Sequence, residues 1–354
     1  DIYYIIPDGY GRQDVLQEVY GFDNSEFVSY LEEKGFYVAR NSRSNYDITW
    51  TSIPSSLNSR YRTSKIHRNT TEQPFVTFLQ NLGYKLRQHS AIDFFRSDCT
   101  VLSKSRFTAL HAFYLWKTPL QPLGLHNSLL SFLSKNKTKR QREMIIDGFR
   151  SIARLPSMTH PSFTLLYSQV THQPFLFSYD GRVQRDTVNL RAQYRDTIVY
   201  GNALLRETID AILDRYQHSK KKPIIIVQAD HGPRTSIMEQ DPYALELPDT
   251  SLVLRDRVGI LNAYYLPGEG VRMLYPSITP VNTFRIILNE YFGASLDLLE
   301  DVSYCNYFAP FDLRAMPDFG PFVEIRGDSA VFFTEDREVK SVFHFPKKDT
   351  VETS

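Results

Sequence analysis

The chain has 354 residues, of which 42% are hydrophobic and 23% are charged. That length suits one large α/β domain or two smaller domains, and the composition excludes a disordered tail. Basic and acidic side chains nearly balance, at 41 and 40, so no overall field favours a nucleic acid or an anionic membrane. Two cysteines, Cys99 and Cys305, are too few for a disulfide-dense scaffold or a cysteine-rich zinc module.

The first part of the chain reads as a strand, a helix and a second strand. The apolar run 1–6 predicts a buried strand that ends at Pro7-Asp8-Gly9. A helix is expected over 25–34, where apolar residues share one face, and Gly35 is expected to end it. Its N-cap is expected to be the asparagine or the serine at its start. A strand over 36–39 follows.

The next segment combines irregular backbone with a short helix. The polar residues 41–47 predict no regular structure. Thr51 or Ser52 is expected to cap a helix that reaches Leu57, with Pro54 tolerated in its first turn.

The middle of the chain repeats the alternation. Strands are predicted over 163–170 and 223–229, and apolar residues at three-to-four spacing predict a long helix over 190–212. This alternation favours an α/β sandwich with a mostly parallel sheet.

The remaining segments are basic or β-rich. The basic runs 134–142 and 218–222 are expected to be loops or solvated faces beside helix ends, since no aromatic residues accompany them as in a nucleic-acid surface. Alternating segments at 322–325, 330–334 and 339–345 predict a small antiparallel appendage.

Carboxylates follow two of the predicted strands. Asp8 comes after the first strand, and Asp230 and His231 come after the most apolar one. Because ligands of open α/β sheets bind outside the carboxyl ends of the strands, these side chains predict a divalent cation site. The alternative is that Asp8 and Asp230 simply cap the helices that follow them.

The polar loop before the short helix adds hydroxyl groups. A hydroxyl at a helix start lies near unpaired backbone N–H groups, and a bound metal lowers its pKa, so a serine or threonine there is a candidate nucleophile. The alternative is a set of caps and local turns.

Five segments together resemble the sulfatase-like hydrolases and transferases of the alkaline phosphatase superfamily, among them the lipoteichoic acid synthases and phosphoethanolamine transferases. These segments are 1–58, 172–175, 228–234, 262–268 and 275–292. The resemblance implies an alkaline-phosphatase-like sandwich, in which helices cover both faces of a mostly parallel central sheet. It implies a catalytic domain at 1–305, followed by a β-rich appendage at 306–354 that packs on the same domain.

The resemblance also implies the residues of a metal site with a covalent nucleophile. Carried over residue by residue, the metal ligands are Asp8, Thr49, Asp230 and His231. Thr49 is the nucleophile, preferred to Thr51 or Ser52 because it lies nine residues before Asn58.

Substrate contacts follow from the same resemblance. His172, in a His-x-Pro-Phe turn, corresponds to a substrate-contacting histidine that bonds a phosphoryl oxygen or protonates the leaving group; the alternative is a turn histidine bonded to backbone. Arg43, Arg234 and Asn45 are expected to bind the substrate. Each arginine is equally suited to a surface ion pair.

Three departures from the family pattern limit the reaction types and the number of metal ions that we expect. The chain has no Cys-x-Pro-x-Arg stretch, which argues against sulfate-ester hydrolysis through formylglycine. Further aspartate and histidine ligands for a second metal are missing after His172, so one cation is expected, with Mn²⁺ preferred and Mg²⁺, Zn²⁺ or Ca²⁺ as alternatives. Asp47 stands where the resemblance leads us to expect a small residue or proline.

The resulting hypothesis is a metal-dependent phosphotransferase or phosphohydrolase with a covalent threonine intermediate. Its expected substrate is a phosphate or sulfate ester, lipid- or glycan-linked, and not a nucleic acid. The alternatives are a sulfatase-like hydrolase of another ester, a phosphomutase-like enzyme that would need a second metal, and a degenerate binding module. The resemblance implies an extracytoplasmic location with a membrane anchor upstream of Asp1, while the fragment itself is expected to be soluble.

Overall fold

The structure of the protein is a computed structural model that describes residues 1–61, 74–90, 92, 94–95, 99–102, 126–156, 160–185, 188–235, 250–305, 322–333 and 339–344. The strands are β1 Ile2–Pro7, β2 Tyr37–Val38, β3 Lys85–His89, β4 Thr100–Val101, β5 Ser162–Ser168, β6 Ile224–Gln228, β7 Asn262–Tyr265, β8 Val302–Cys305, β9 Phe322–Arg326, β10 Ser329–Phe333 and β11 Val339–His344. The helices are α1 Gln13–Tyr20, α2 Ser25–Glu33, α3 Thr49–Asn58, α4 Pro74–Asn81, α5 His126–Ala153, α6 Leu190–Arg215, α7 Thr250–Val258 and α8 Pro280–Phe292.

A seven-stranded sheet has the order β2-β7-β6-β1-β5-β3-β4. β1 pairs in parallel with both β5 and β6, and β3 pairs in parallel with β5 and β4. The short β2 runs antiparallel to its neighbour, β7. All residues of β1, β5 and β6 are buried, as expected of parallel strands covered on both faces. The predicted α/β class with a mostly parallel sheet is therefore confirmed.

Contacts divide the chain into two units, 1–8 with 76–227 and 9–75 with 228–354. In the first unit, α5 packs against α6. The face of α6 that the sequence predicted to be apolar is buried, at Tyr194, Ile198, Leu205, Ile209 and Ile212. No helix in the described parts of the chain is long and apolar enough to cross a membrane.

The second unit contains an antiparallel sheet of four strands in the order β11-β10-β9-β8. It shares an apolar cluster with α7, made of Leu254, Val258, Cys305, Val323, Ile325, Ala330 and Phe332. The predicted C-terminal strands are present, and β8, which precedes residue 306, pairs with β9. The boundary between 305 and 306 stays a prediction.

The start of α3 differs from the predicted one. The helix begins at Thr49 with Ile48 as N-cap, so Thr51 and Ser52 lie inside its first turn and cap nothing. The hydroxyl of Thr51 donates to the carbonyl of Ile48 at 2.9 Å, within the helix itself. Pro54 is the sixth helical residue, beyond the first turn in which the sequence placed it.

Two other local expectations also changed. Asn24 is the N-cap residue of α2, one of the two predicted, but its side chain donates to the Tyr10 hydroxyl at 2.9 Å and makes no capping hydrogen bond. Gly35, with φ of 87°, follows the helix end as predicted. The basic run 134–142, predicted as a loop or a solvated face beside a helix end, lies within α5 and so is not a loop. The run at 218–222 does follow a helix, and there Lys222 Nζ donates to the carbonyls of residues 216 and 217.

Candidate active site

Asp8 lies directly after β1 in the first unit and is fully buried. Its N–H donates to the carbonyl of Ser168 at 2.9 Å, and its own carbonyl accepts from Thr171 Oγ1 at 2.7 Å. The Tyr167 hydroxyl donates to Asp8 Oδ2. The N-cap of the next helix, α1, is Arg12, so Asp8 is no helix cap. Its carboxylate is held at the end of the strand, as a ligand would be.

His172 follows β5 and the 3₁₀ turn Gln169–Thr171, and its Nε2 lies 4.0 Å from Asp8 Oδ2. Its Nδ1 lies 2.5 Å from the carbonyl of Gln173. Because a carbonyl only accepts, Nδ1 carries the hydrogen, and in the neutral ring Nε2 presents its lone pair. The ring is thus bonded to backbone through Nδ1, while Nε2 lies beside the Asp8 carboxylate.

Asp230 and His231 follow β6 in the second unit, and both are buried. His231 Nε2 lies 3.7 Å from Asp230 Oδ2, and His231 Nδ1 donates to the carbonyl of Gly232 at 2.8 Å. Asp230 Oδ1 accepts from the backbone N–H of Gly9 at 3.3 Å, and Gly9 is the residue after Asp8.

Thr49 is the first residue of α3, and its Oγ1 lies 3.4 Å from His231 Nε2. The hydroxyl of Ser52 donates to the carbonyl of Asp230 at 2.5 Å, which ties the first turn of α3 to the end of β6. Thr49, Asp230 and His231, three of the four predicted ligands, therefore lie together in the second unit. The backbone N–H groups of the first turn of α3 are beside them, where they favour negative charge.

The chemistry of these side chains suits a divalent cation. The three side-chain separations of 3.4 to 4.0 Å are long for hydrogen bonds. They approach the separation of ligands that share one ion, since atoms about 2.0–2.2 Å from a metal stand roughly 3 Å or more apart. A mixed oxygen and nitrogen set suits Mn²⁺, Zn²⁺ or Mg²⁺.

Solved structures share the fold of this chain at low sequence identity. A protein in the alkaline phosphatase superfamily from Vibrio parahaemolyticus matches with a TM-score of 0.51 at 11% identity, over 99% of this chain and 83% of its own. The chain has the alkaline phosphatase superfamily fold. The C-terminal periplasmic domain of EcEptC from Escherichia coli gives 0.51 at 11%, over 88% and 90% of the two chains.

A third match is yidJ of Bacteroides fragilis, named as a candidate sulfatase, at a TM-score of 0.54 and 12% identity, over 98% and 88% of the two chains. No protein-family model and no curated protein matches the sequence. The resemblance inferred from the sequence is thus confirmed at the level of the fold.

Two of the residues predicted to bind the substrate, Asn45 and Arg43, form hydrogen bonds to backbone groups of the protein. Asn45 is fully buried, and its amide bonds to the backbone of Val302 and Val281 at 2.9 and 2.8 Å. Arg43 Nη1 donates to the carbonyl of Gly327 at 2.7 Å, in the turn between β9 and β10. Burial, and secondarily the positive charge of Arg12, lowers the pKa of Arg43. Their contact with a substrate remains a prediction, and the structure gives both a structural role.

Arg234 lies three residues after His231, with a left-handed backbone (φ 61°), and its Nη1 donates to the carbonyl of Asp47 at 2.7 Å. The carboxylate of Asp47 in turn pairs with Arg257. Sequence reasoning missed Arg257 and Tyr167. Only the position of Tyr167 at the end of a predicted strand could have indicated its role, and nothing in the sequence indicated Arg257.

Proposed function

We propose that the protein is a metal-dependent phosphotransferase or phosphohydrolase in which Thr49 attacks a phosphate ester. The observation that carries this proposal is the 3.4 Å separation of Thr49 Oγ1 and His231 Nε2, with the Asp230 carboxylate 3.7 Å from the same nitrogen. A hydroxyl at the start of a helix, beside an imidazole and a carboxylate, is the arrangement that an activated nucleophile needs.

The reaction follows from what each side chain offers. Thr49 Oγ forms a bond to phosphorus, the ester P–O bond breaks, and the leaving oxygen takes the bonding electrons; the hydroxyl proton passes to solvent. His172, whose side chain is 31% exposed, gives a proton from Nε2 to the leaving oxygen when its ring is protonated. The N–H groups at the start of α3 stabilise charge on the phosphoryl oxygens. Water or another hydroxyl then cleaves the threonine ester and restores Thr49.

One divalent cation belongs to this proposal. Its ligands would be Asp8, Thr49, Asp230 and His231, with Mn²⁺ preferred and Mg²⁺, Zn²⁺ or Ca²⁺ as alternatives. When bound, the cation would lower the pKa of the threonine hydroxyl and offset negative charge on the phosphoryl group.

The proposal extends to substrate and location. The substrate is a phosphate ester, lipid- or glycan-linked, and the site works outside the cytoplasm in a membrane-anchored protein. The periplasmic origin of the EcEptC domain supports that location. A sulfate ester is the second candidate substrate, because a candidate sulfatase shares the fold.

Intact mass spectrometry after incubation with Mn²⁺ and bis(4-nitrophenyl) phosphate tests the function. We expect a phosphoryl adduct on the wild type and on Thr51→Ala, whose hydroxyl bonds only within its own helix turn, but none on Thr49→Ala. An adduct on Thr49→Ala would mean that the nucleophile lies elsewhere. Turnover of 4-nitrophenyl sulfate alone would favour the sulfatase-like alternative. Bound metal with neither adduct nor turnover would favour a binding module.

A further inference from the structure

A buried ion pair joins Arg257 to Asp47, which lies two residues before the proposed nucleophile, Thr49. Arg257 Nη1 is 2.5 Å from Asp47 Oδ2, and the side chains are 3% and 6% exposed. Neither group has surface left for a substrate, so neither is an anion clamp. A buried pair recovers little more than the cost of desolvating its charges, so stability alone is a weak reason for it.

Asp47 is held a second time through its backbone. Its carbonyl accepts from Arg234 Nη1 at 2.7 Å, and Arg234 belongs to the loop that carries His231. The residue that leads into α3 is thus fixed by its side chain to α7 and by its main chain to the loop after β6.

The end of α7 is bonded to that same loop. The N–H of Gly232 donates to the carbonyl of Arg257 at 2.8 Å, and the N–H of Arg234 donates to the carbonyl of Asp256 at 3.2 Å. A Cβ on Gly232 would lie 2.2 Å from the Asp256 carbonyl oxygen, so only glycine permits this approach. A continuous series of bonds therefore runs from the residue after His231, through Arg257 and Asp47, to the start of α3.

We propose that Asp47 and Arg257 are positioning residues that hold the hydroxyl of Thr49 at 3.4 Å from His231 Nε2. This inference rests on the proposed function of Thr49 as nucleophile. The pair touches no substrate and acts only by fixing where α3 begins relative to the loop after β6. A shift of about 1 Å in a reacting group can cost roughly 100-fold in rate, so loss of the pair should slow bond formation more than binding.

The test compares Asp47→Asn, Arg257→Met and Arg257→Lys with Glu18→Gln. Glu18, in α1, forms an ion pair with Arg255, which lies on α7 like Arg257. Glu18→Gln therefore removes an ion pair of the same helix that does not involve the residues before Thr49, and it serves as the matched control. Single-turnover formation of the adduct from bis(4-nitrophenyl) phosphate with Mn²⁺ should fall about 10- to 100-fold in Asp47→Asn and Arg257→Met. The substrate concentration for half-maximal rate should stay within about three-fold. Arg257→Lys, which keeps the charge, should recover part of the rate, and Glu18→Gln should match the wild type.

A second readout needs no turnover. The visible absorption of bound Co²⁺ reports which groups surround the ion, so Asp47→Asn should shift the wild-type spectrum towards that of Thr49→Ala at unchanged Co²⁺ stoichiometry. Wild-type rates and spectra in both pair variants would overturn the inference while leaving the proposed function intact. Variants that lose their fold together with the adduct would overturn it too, since the pair would then be structural. A wild type without any adduct would instead remove the proposed function on which the inference rests.

Discussion

Two histidines of the candidate site are oriented by the same local hydrogen bond to backbone. In His172 and His231, Nδ1 lies against the carbonyl of the next residue, Gln173 or Gly232. The backbone therefore sets the tautomer and leaves Nε2 as the atom that meets a carboxylate. Such a bond needs only adjacent residues, so it forms wherever the chain takes this turn, and the carboxylate partner distinguishes a site from an ordinary turn.

Asp230→Asn should abolish high-affinity binding of Mn²⁺ while the fold survives, because an amide keeps the shape of the side chain but not its charge. Calorimetric titration with Mn²⁺ measures the loss, and circular dichroism checks the fold. Asp214→Asn, at an exposed position of α6, is the control and should bind as the wild type does. Undiminished Mn²⁺ affinity in Asp230→Asn would exclude this carboxylate as a ligand.

His89 gives the protein a pH-dependent contribution to stability. Its Nε2 donates to the carbonyl of Met144 at 2.9 Å, and burial lowers its pKa below the usual value of about 6.5. The unfolded chain then binds the proton more readily than the folded one, so this contribution is complete above about pH 6.5 and is lost as the pH falls towards the folded pKa.

Urea unfolding at pH 7.5 and 5.5 measures this effect. The free energy of unfolding should fall more on acidification in the wild type than in His89→Gln, which cannot gain the proton. An equal fall in both proteins would assign the acid sensitivity to other groups.

Single residues were predictable where a local rule applied. Asp8 and Asp230 were predicted to follow buried strands, and they do follow β1 and β6; their role as metal ligands stays a prediction. Arg257 was not found, because its partner Asp47 lies 210 residues away and no local pattern links the two. Asn45 and Arg43 look like substrate ligands in a polar loop, and only tertiary structure shows their bonds to backbone.

At the scale of elements, the start of α3 is set by a tertiary contact and not by the capping preference of its own sequence. The capping rule favours a hydroxyl side chain just outside the helix, and the sequence around Thr49 offers several. Instead the helix begins at Thr49, and Ser52 inside the first turn bonds to the carbonyl of Asp230. The sequence predicted the helix but not its first residue, because that residue depends on a strand far along the chain.

Ser52→Ala should therefore lower the free energy of unfolding by about 1–3 kcal/mol, because it removes a buried bond between α3 and the end of β6. Thr51→Ala is the matched control. It removes a bond within the helix, to a carbonyl that also accepts from the N–H of Ser52, and should cost less than about 1 kcal/mol. Chemical denaturation of both variants checks the difference, and equal losses would contradict this view of α3.

Two helical glycines in the first unit should respond in opposite ways to alanine. A Cβ at Gly148 in α5 would lie 2.7 Å from the His89 ring, whereas one at Gly201 in α6 would meet its nearest neighbour, Thr171, at 3.5 Å. Alanine gains up to about 1 kcal/mol of helix propensity at either position. Gly201→Ala should therefore raise the melting temperature and Gly148→Ala should lower it. A rise in both would show that α5 can move away from β3 at little cost.

At the scale of the whole molecule, the alternation of strands and helices was sufficient to predict a mostly parallel sheet. The predicted apolar runs at 1–6, 163–170 and 223–229 became β1, β5 and β6, which pair side by side. The strand order could not be predicted, because β1 pairs with two segments that each lie more than 150 residues further along the chain. The alternating sequence predicted the C-terminal strands, but it did not predict that they pack against α7.

That attachment means that the C-terminal strands support the helix that carries Arg257. One face of α7 buries Leu254 and Val258 against β8, β9 and β10, while the end of the same helix carries Arg257. A chain ending at Cys305 would keep every candidate site residue and still expose that apolar face to water. We expect it to aggregate or melt well below the full chain, measured by light scattering on heating. A shortened chain that stayed folded and active would show residues 306–354 to be dispensable; the expected result would mean that the candidate site cannot be moved to another protein without them.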